Sequence, residues 1–365
     1  MSGIRETILF SRATIFVALV AAATRAEEAV TLDGLADVFY LYNFNKPATG
    51  RGELRAYDGP HNCFHLNLAE LSLEKRPAAG HRIGFRVDLD YGTTPRVNNA
   101  AEPAGMRRLQ SAGQAYLSYL APIGSGLRLD AGKFYTPIGN EVVRTSNNWN
   151  YSRSLLFTLA EPTYHAGIRA SYTVNERVAL SAHFVNGWNN VGDNNGAKSV
   201  GLQATLTPVP ALSIVQTYVG GPEQSRDDRD WRHLADTVIT VTATPRLTLA
   251  ANYDYGRDSL AGARVKWQGV AGYIRYRANN RLAVSSRWEW YDDHNGFTSG
   301  TPQRIKESTL TGEWKARKNS LLRVEVRRDS SSRAGFLKKV TEHVDHQDTL
   351  TLAVIVGFTH EMRKP

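Results

Sequence analysis

Four charged side chains, Glu141, Arg144, Arg153 and Glu161, fall within one stretch, residues 132–195. The same stretch carries Asn147, Asn148, Trp149, Tyr151 and Trp188. Carboxylates and guanidiniums at this density can do two things. Facing confined water, groups of one sign raise the local concentration of oppositely charged solutes. Facing each other, the same groups pair and fasten a segment to whatever it lies on. Arg144 and Arg153, set against Glu141 or Glu161, are the strongest cations for the first role. Glu141 and Arg153 fit the second equally well. Trp149, Tyr151 and Trp188 could offer a surface for sugars, but packing at the base of the stretch is the simpler use.

Catalysis finds less support. No His-Glu-x-x-His, Gly-x-Ser-x-Gly or Gly-rich phosphate loop occurs, and no histidine stands at a telling distance from a serine and an acid. No catalytic residue is assigned, and an enzyme is not expected; a membrane hydrolase with Ser and His on its rim is the weaker rival. The single Cys63 rules out an internal disulfide and a multi-cysteine metal site. Asp193-Asn194-Asn195, Asp227-Asp228-Arg229-Asp230, Asp292-Asp293-His294 and Glu342/His343/Asp345/His346 hold oxygens or imidazoles that divalent cations favour. They read better as solvated loop tips. No metal and no cofactor is expected.

The elements that must position these residues are strands. In residues 81–92, Ile83, Phe85, Val87, Leu89 and Tyr91 share one face, while Arg82, Arg86, Asp88 and Asp90 share the other. Such alternation marks a strand that is polar on one side and apolar on the other. The same pattern predicts sixteen strands, at 31–43, 64–75, 81–92, 113–121, 127–135, 164–173, 178–188, 198–207, 211–220, 234–243, 247–256, 265–277, 281–291, 306–316, 320–328 and 348–359. Most are longer than the ~5–6 residues usual in soluble sheets and match the ~9–11 of a tilted transmembrane strand. In hydrocarbon such a sheet must close, because an open edge would leave backbone groups unsatisfied.

The connections agree. Short turns rich in Pro, Gly or Asn alternate with longer segments at 44–63, 93–112, 136–163, 189–197, 221–233, 257–264, 292–305 and 329–347. Short periplasmic turns and long outer loops produce this alternation. Aromatic residues near strand ends suit an interfacial girdle: Phe39 with Leu41, Tyr91, Tyr119, Phe184, Trp288 with Trp290, Trp314 and Phe358. The fold class expected is all-β: a transmembrane antiparallel β-barrel of about 16 strands, with the long third loop folded into its lumen. Polar wall cations would then be Arg82, Arg86, Arg128, Lys133, Arg169, Arg287, Arg323 and Arg327.

The N-terminus supplies the route. Arg5 and Arg12 precede the apolar run 13–23, and Thr24-Arg25-Ala26 offers small residues for cleavage. This predicts a secretory signal peptide at 1–26 and a barrel at 27–365; the run is short of the ~20 residues of a spanning helix.

Residues 132–195 also resemble the signature region of the OmpL-like β-barrel porin family of Gram-negative bacteria. The resemblance rests on Gly132-Lys133-Phe134, Thr136-Pro137, Gly139, Glu141, Asn150-Tyr151-Ser152-Arg153-Ser154, Phe157, Pro162, His165, Gly167, Asn186-Gly187-Trp188-Asn189 and Asp193-Asn194-Asn195. It implies an outer-membrane pore and, by analogy with sixteen-stranded porins, a homotrimer. One departure is the chain end: Phe358 is followed by seven further residues, where such chains commonly end on an aromatic. The reading is a passive diffusion channel for small hydrophilic solutes, weakly anion-preferring because its inward faces are net basic. The alternative is a non-conducting structural or adhesive barrel whose loops bind a partner. Outer-membrane lipid, lipopolysaccharide and small solutes are the expected partners, and nucleic acid is not.

Overall fold

The computed structural model describes residues 29–102, 111–260 and 262–362. The signal peptide expected at 1–26 lies outside them. In chain order the strands are β1 (Val30–Asn43), β2 (Cys63–Lys75), β3 (Ile83–Tyr91), β4 (Ala112–Ala121), β5 (Leu127–Tyr135) and β6 (Tyr164–Asn175). There follow β7 (Val178–Val185), β8 (Ser199–Val209), β9 (Leu212–Pro222), β10 (Trp231–Thr242), β11 (Leu247–Leu260) and β12 (Ala263–Arg277). The last are β13 (Leu282–Asp293), β14 (Gln303–Arg317), β15 (Ser320–Ser331), β16 (Phe336–Lys338), β17 (Glu342–Val344) and β18 (His346–Met362). Sequential antiparallel pairing runs from β1 to β15, and β18 joins β15 to β1, closing a barrel of sixteen strands. The short β16 and β17 form a separate hairpin in the last loop. A six-residue helix, α1 (Thr93–Asn98), lies in the second long loop.

Each wall strand has two unlike faces. Along β14 and β15, Leu310, Trp314, Val324 and Val326 are exposed, while Thr311, Glu313, Arg323 and Glu325 between them are buried. The arrangement inverts that of a water-soluble sandwich, and suits a barrel with apolar solvent outside. Tyr91, Tyr119, Phe184, Trp288, Trp314 and Phe358 all stand on the exposed face.

Phe39 and Leu41 do not. Both are buried, and Phe39 stacks against Tyr151 at 5.4 Å and His65 at 4.9 Å between ring centroids. The third long loop brings Tyr151 to the polar face of β1, so apolar residues are stable there too. Alternation reports only that a strand has two faces. Which face looks outward is settled here by a partner far along the chain.

The sixth long connection is also shorter than expected. β11 and β12 pair in register as far as Leu260 and Ala263, so 257–264 is mostly strand. Asp258 stays on the buried face, where Arg232 Nε donates to it at 2.8 Å. The stretch Gly256-Arg257-Asp258-Ser259 has no apolar residue to signal the alternation. At the other end, β18 continues through Thr359, His360, Glu361 and Met362, which pair with Asp33, Leu32, Thr31 and Val30. The residues after Phe358 thus extend the closing seam.

Candidate functional site

Residues 136–163, between β5 and β6, bond partly among themselves, as in the Val142 N–H to Asn148 Oδ1 and Phe157 N–H to Ser154 Oγ contacts, and partly to the wall. Buried backbone groups need partners, and here wall side chains supply many of them. Gly139 N–H donates to Asp236 and Asn140 N–H to Asn252 Oδ1, at 3.2 and 2.8 Å. Tyr151 and Ser152 N–H groups donate to the Glu325 carboxylate at 2.6 and 2.9 Å. Leu155 N–H donates to Glu289 at 2.9 Å, and Trp267 Nε1 donates to Ala160 O at 3.3 Å. On β1, Asp37 accepts from Thr145 Oγ1 and from the Tyr151 hydroxyl. Burial, reinforced by the Asp37 charge, pushes the Tyr151 phenol well above its ordinary pKa, so it remains a donor. The segment is therefore bonded to the buried polar face of strands on several sides of the barrel.

The four charged residues of this segment have different surroundings. Glu141 is buried; Arg287 Nη1 donates to its Oε1 at 2.6 Å and Ser154 N–H to its Oε2 at 2.8 Å. Arg153 is buried as well, donating to Val143 O and to Tyr151 O, with its guanidinium over the rings of Tyr57 and Phe157 at 5.5 and 5.4 Å. Glu161 is buried beside Asp236 and Asp254. Arg144 pairs with Glu70 and keeps its side chain 21% exposed.

The wall cations divide in the same way. Arg287, Arg323 and Arg327 have side-chain exposures of 0%, 1% and 1%. All three donate to loop carbonyls: Arg287 to Ser152, Arg323 to Thr145 and Asn148, Arg327 to Arg153. Lys133 is buried too, donating to Asn99 Oδ1 at 2.6 Å and Ala112 O at 2.9 Å, with Nζ 4.1 Å from the centre of the Tyr164 ring. By contrast, Arg86, Arg128 and Arg169 are 20%, 28% and 20% exposed, on β3, β5 and β6. Their acids lie deeper: Asp88 and Asp130 are 0% and 1% exposed. Asp130 accepts from both Arg128 at 2.8 Å and Arg169 at 2.7 Å. Arg82 is half-buried and donates to Leu120 O at 3.1 Å.

The aromatic residues of the stretch serve packing. Trp149 meets Tyr273 edge-on, Trp188 meets Trp267 likewise, and Tyr151 is buried. At the loop tips, Asp193 pairs with Lys198, Asp292 lies 3.7 Å from Arg304, and Asp345 contacts His346. Sequence reasoning did not single out Asp37, Asp236, Asn252 or Asp254. Their signal was present but weak: each is a polar residue at an inward step of its strand, Asn252 and Asp254 at successive steps of β11, as many wall residues are.

A sixteen-stranded closed barrel with an apolar outside, a polar inside and one long, heavily bonded third loop is a porin architecture. The sequence matches the profile of the family described as beta-barrel porin-2, OmpL-like, over residues 29–358. The chain belongs to that family. This porin has no match among curated proteins, whereas many solved structures resemble it. The anion-selective porin from Comamonas acidovorans aligns with a TM-score of 0.62 at 13% identity, over 91% of this chain and 100% of that one. The outer-membrane channel DcaP of Acinetobacter baumannii gives 0.59 at 12% identity, over 90% and 97%. OmpT of Vibrio cholerae, an outer-membrane protein, gives 0.60 at 9% identity, over 92% and 100%. At these identities the likeness is one of fold. Family and fold together make this a barrel of the bacterial outer membrane.

Proposed function

We propose that this porin is a passive diffusion channel for small hydrophilic solutes, that residues 136–163 fold into its lumen and narrow it, and that it weakly prefers anions. One observation carries the preference. On β3, β5 and β6 the side chains of Arg86, Arg128 and Arg169 are partly exposed while their carboxylate partners are buried. Arg144, on the loop, is exposed to a similar degree and paired with a buried Glu70. Formal pairing would cancel most of this charge, but a passing solute meets the guanidiniums first. The field near such a wall is positive over short distances.

The division among the cations also supports a division of labour. Arg287, Arg323 and Arg327, with Glu141, Glu289 and Glu325, fix the loop on one side. The open passage then runs along β3 to β6, past Arg82, Arg86, Arg128 and Arg169. Lipid and lipopolysaccharide would cover the exposed apolar face, the leader at 1–26 would direct export, and a homotrimer is the expected assembly. Porin membership favours a channel over an enzyme.

The test is conductance of the purified protein in planar bilayers, with swelling of liposomes in a graded series of sugars. Steady steps and a size cut-off are expected. A protein that folds but passes neither ions nor sugars would be the structural or adhesive barrel instead.

A further inference from the structure

Glu161 ends the long loop, Asp236 lies on β10 and Asp254 on β11. All three are buried, with exposures of 5%, 1% and 0%. One carboxylate oxygen from each lies within 4.8 Å of the others. The register pairs Asp236 directly with Asp254, so two acids sit side by side on one face of the sheet. Like charges in that position repel, and burial makes the repulsion worse.

The neighbours relieve this only in part. Asn252 Nδ2 donates to Asp236 Oδ1 at 2.7 Å and, at 3.4 Å, to Asp254 Oδ1. Gly139 N–H donates to Asp236 Oδ2. Asp254 Oδ2 is fully buried and, among the described residues, accepts from no amide, hydroxyl or backbone N–H; the groups within hydrogen-bond reach of Asp254 on this side are the Asp236 and Glu161 carboxyls. A buried carboxylate oxygen whose remaining neighbours are other acids is the kind of ligand a hard cation takes. Calcium takes oxygen ligands at 2.3–2.6 Å, so two oxygens on one ion are at most about 5 Å apart. The cluster meets that limit.

We propose that Glu161, Asp236 and Asp254 bind a divalent cation of the calcium class, which ties the end of residues 136–163 to β10 and β11. The ion would supply the charge that no loop hydrogen bond provides. It would also explain Gly139, whose φ is +79° and whose missing Cβ would run into the Glu161 carboxylate. The three ligands are scattered in sequence and no spacing motif unites them, so only the fold brings them together. The inference does not depend on whether the barrel conducts, because binding is read without current.

The experiment titrates the full protein, folded in detergent and stripped with EDTA, with terbium as the calcium probe. Trp267, whose Nε1 donates to Ala160 O beside Glu161, is the sensitiser. Sensitised emission should saturate at one ion per chain, reverse on adding calcium, and fall in a Trp267→Phe variant. Asp254→Asn, which relieves repulsion and should fold, is expected to weaken binding about tenfold or more, since affinity follows ligand charge. Glu161→Gln, placed on the loop rather than the wall, should do the same. Absence of emission from the folded protein overturns the proposal. So does equal binding in both variants, which would place the ion at an exposed loop tip. Heat resistance raised by Asp254→Asn equally in calcium and in EDTA also overturns it, since shared protons would then hold the cluster.

Discussion

Arg287 on β13 donates to Glu141 in the long loop at 2.6 Å, joining residues 146 positions apart. The same guanidinium lies 3.3 Å from Glu289 and 3.1 Å from Glu307, with neither side of any pair open to water. Removing one partner of a buried pair typically costs about 3–5 kcal/mol, because the other charge stays buried alone. Arg287→Met should therefore lower the temperature at which the folded barrel converts to the slow-migrating form on a gel. It should also raise current noise as the loop loosens. Adding Glu141→Gln removes one stranded charge and should restore part of the loss. A barrel as heat-resistant as the parent would mean that the contact fastens nothing.

The outer face makes a separate prediction. Leu310 is 52% exposed, midway along β14, and pairs with exposed Val326 on β15. An arginine on the lipid face of a barrel costs roughly 2–4 kcal/mol at the bilayer midplane. Leu310→Arg should reduce folding into lipid vesicles and matter much less in detergent, where the charge can reach water. Equal folding in both would remove this face from the membrane.

Much of this wall could be read from period-two patterning because a barrel strand has only two environments. His81 to Tyr91 alternates so cleanly that β3 and its faces follow from residue type alone. The reading fails where a third environment intrudes. Phe39 and Leu41 are apolar and inward because Tyr151, over a hundred residues away, covers them. The loop itself posed the converse difficulty. Its charges identified Glu141, Arg144, Arg153 and Glu161 as important, but charge alone cannot separate a cation that meets solvent from one that anchors a segment. Burial separates them, and burial depends on which wall residue lies opposite. Asp254 shows the limit: beside Tyr253 and Tyr255 it is one more inward polar step, and its partners come from β10 and the loop.

Glu223, just past the end of β9, gives a pH dependence. It accepts from Trp188 N–H at 2.7 Å and from Ser199 Oγ at 2.6 Å, linking two outer loops. Burial, outweighing these bonds and the nearby Arg232, raises its pKa above the usual carboxylate value. The folded state thus keeps a proton that the unfolded chain has released. Stability from this group is complete below about 4.5 and declines as pH rises through the folded value. Glu223→Gln should flatten that part of the profile. Melting temperatures of parent and variant should lie closer together at pH 4 than at pH 7. Parallel profiles would show that the carboxyl has no part in the pH response.

The last prediction separates the two loop arginines. Arg144 has a partly exposed side chain paired with buried Glu70, whereas Arg153 is enclosed by Tyr57, Phe157 and loop carbonyls. Arg144→Glu should leave the barrel folded and move the reversal potential in a salt gradient toward cation selectivity. Arg153→Glu would bury a carboxylate among carbonyl oxygens and should cost folding before it changes selectivity. Arg128→Ser and Arg169→Ser should act in the same direction as Arg144→Glu, each additionally freeing part of Asp130. Because screening shortens from about 10 Å at 0.1 M salt to about 3 Å at 1 M, these shifts should be large in dilute salt and small in concentrated salt. A reversal potential unmoved by Arg144→Glu in dilute salt would place the ion path elsewhere in the barrel.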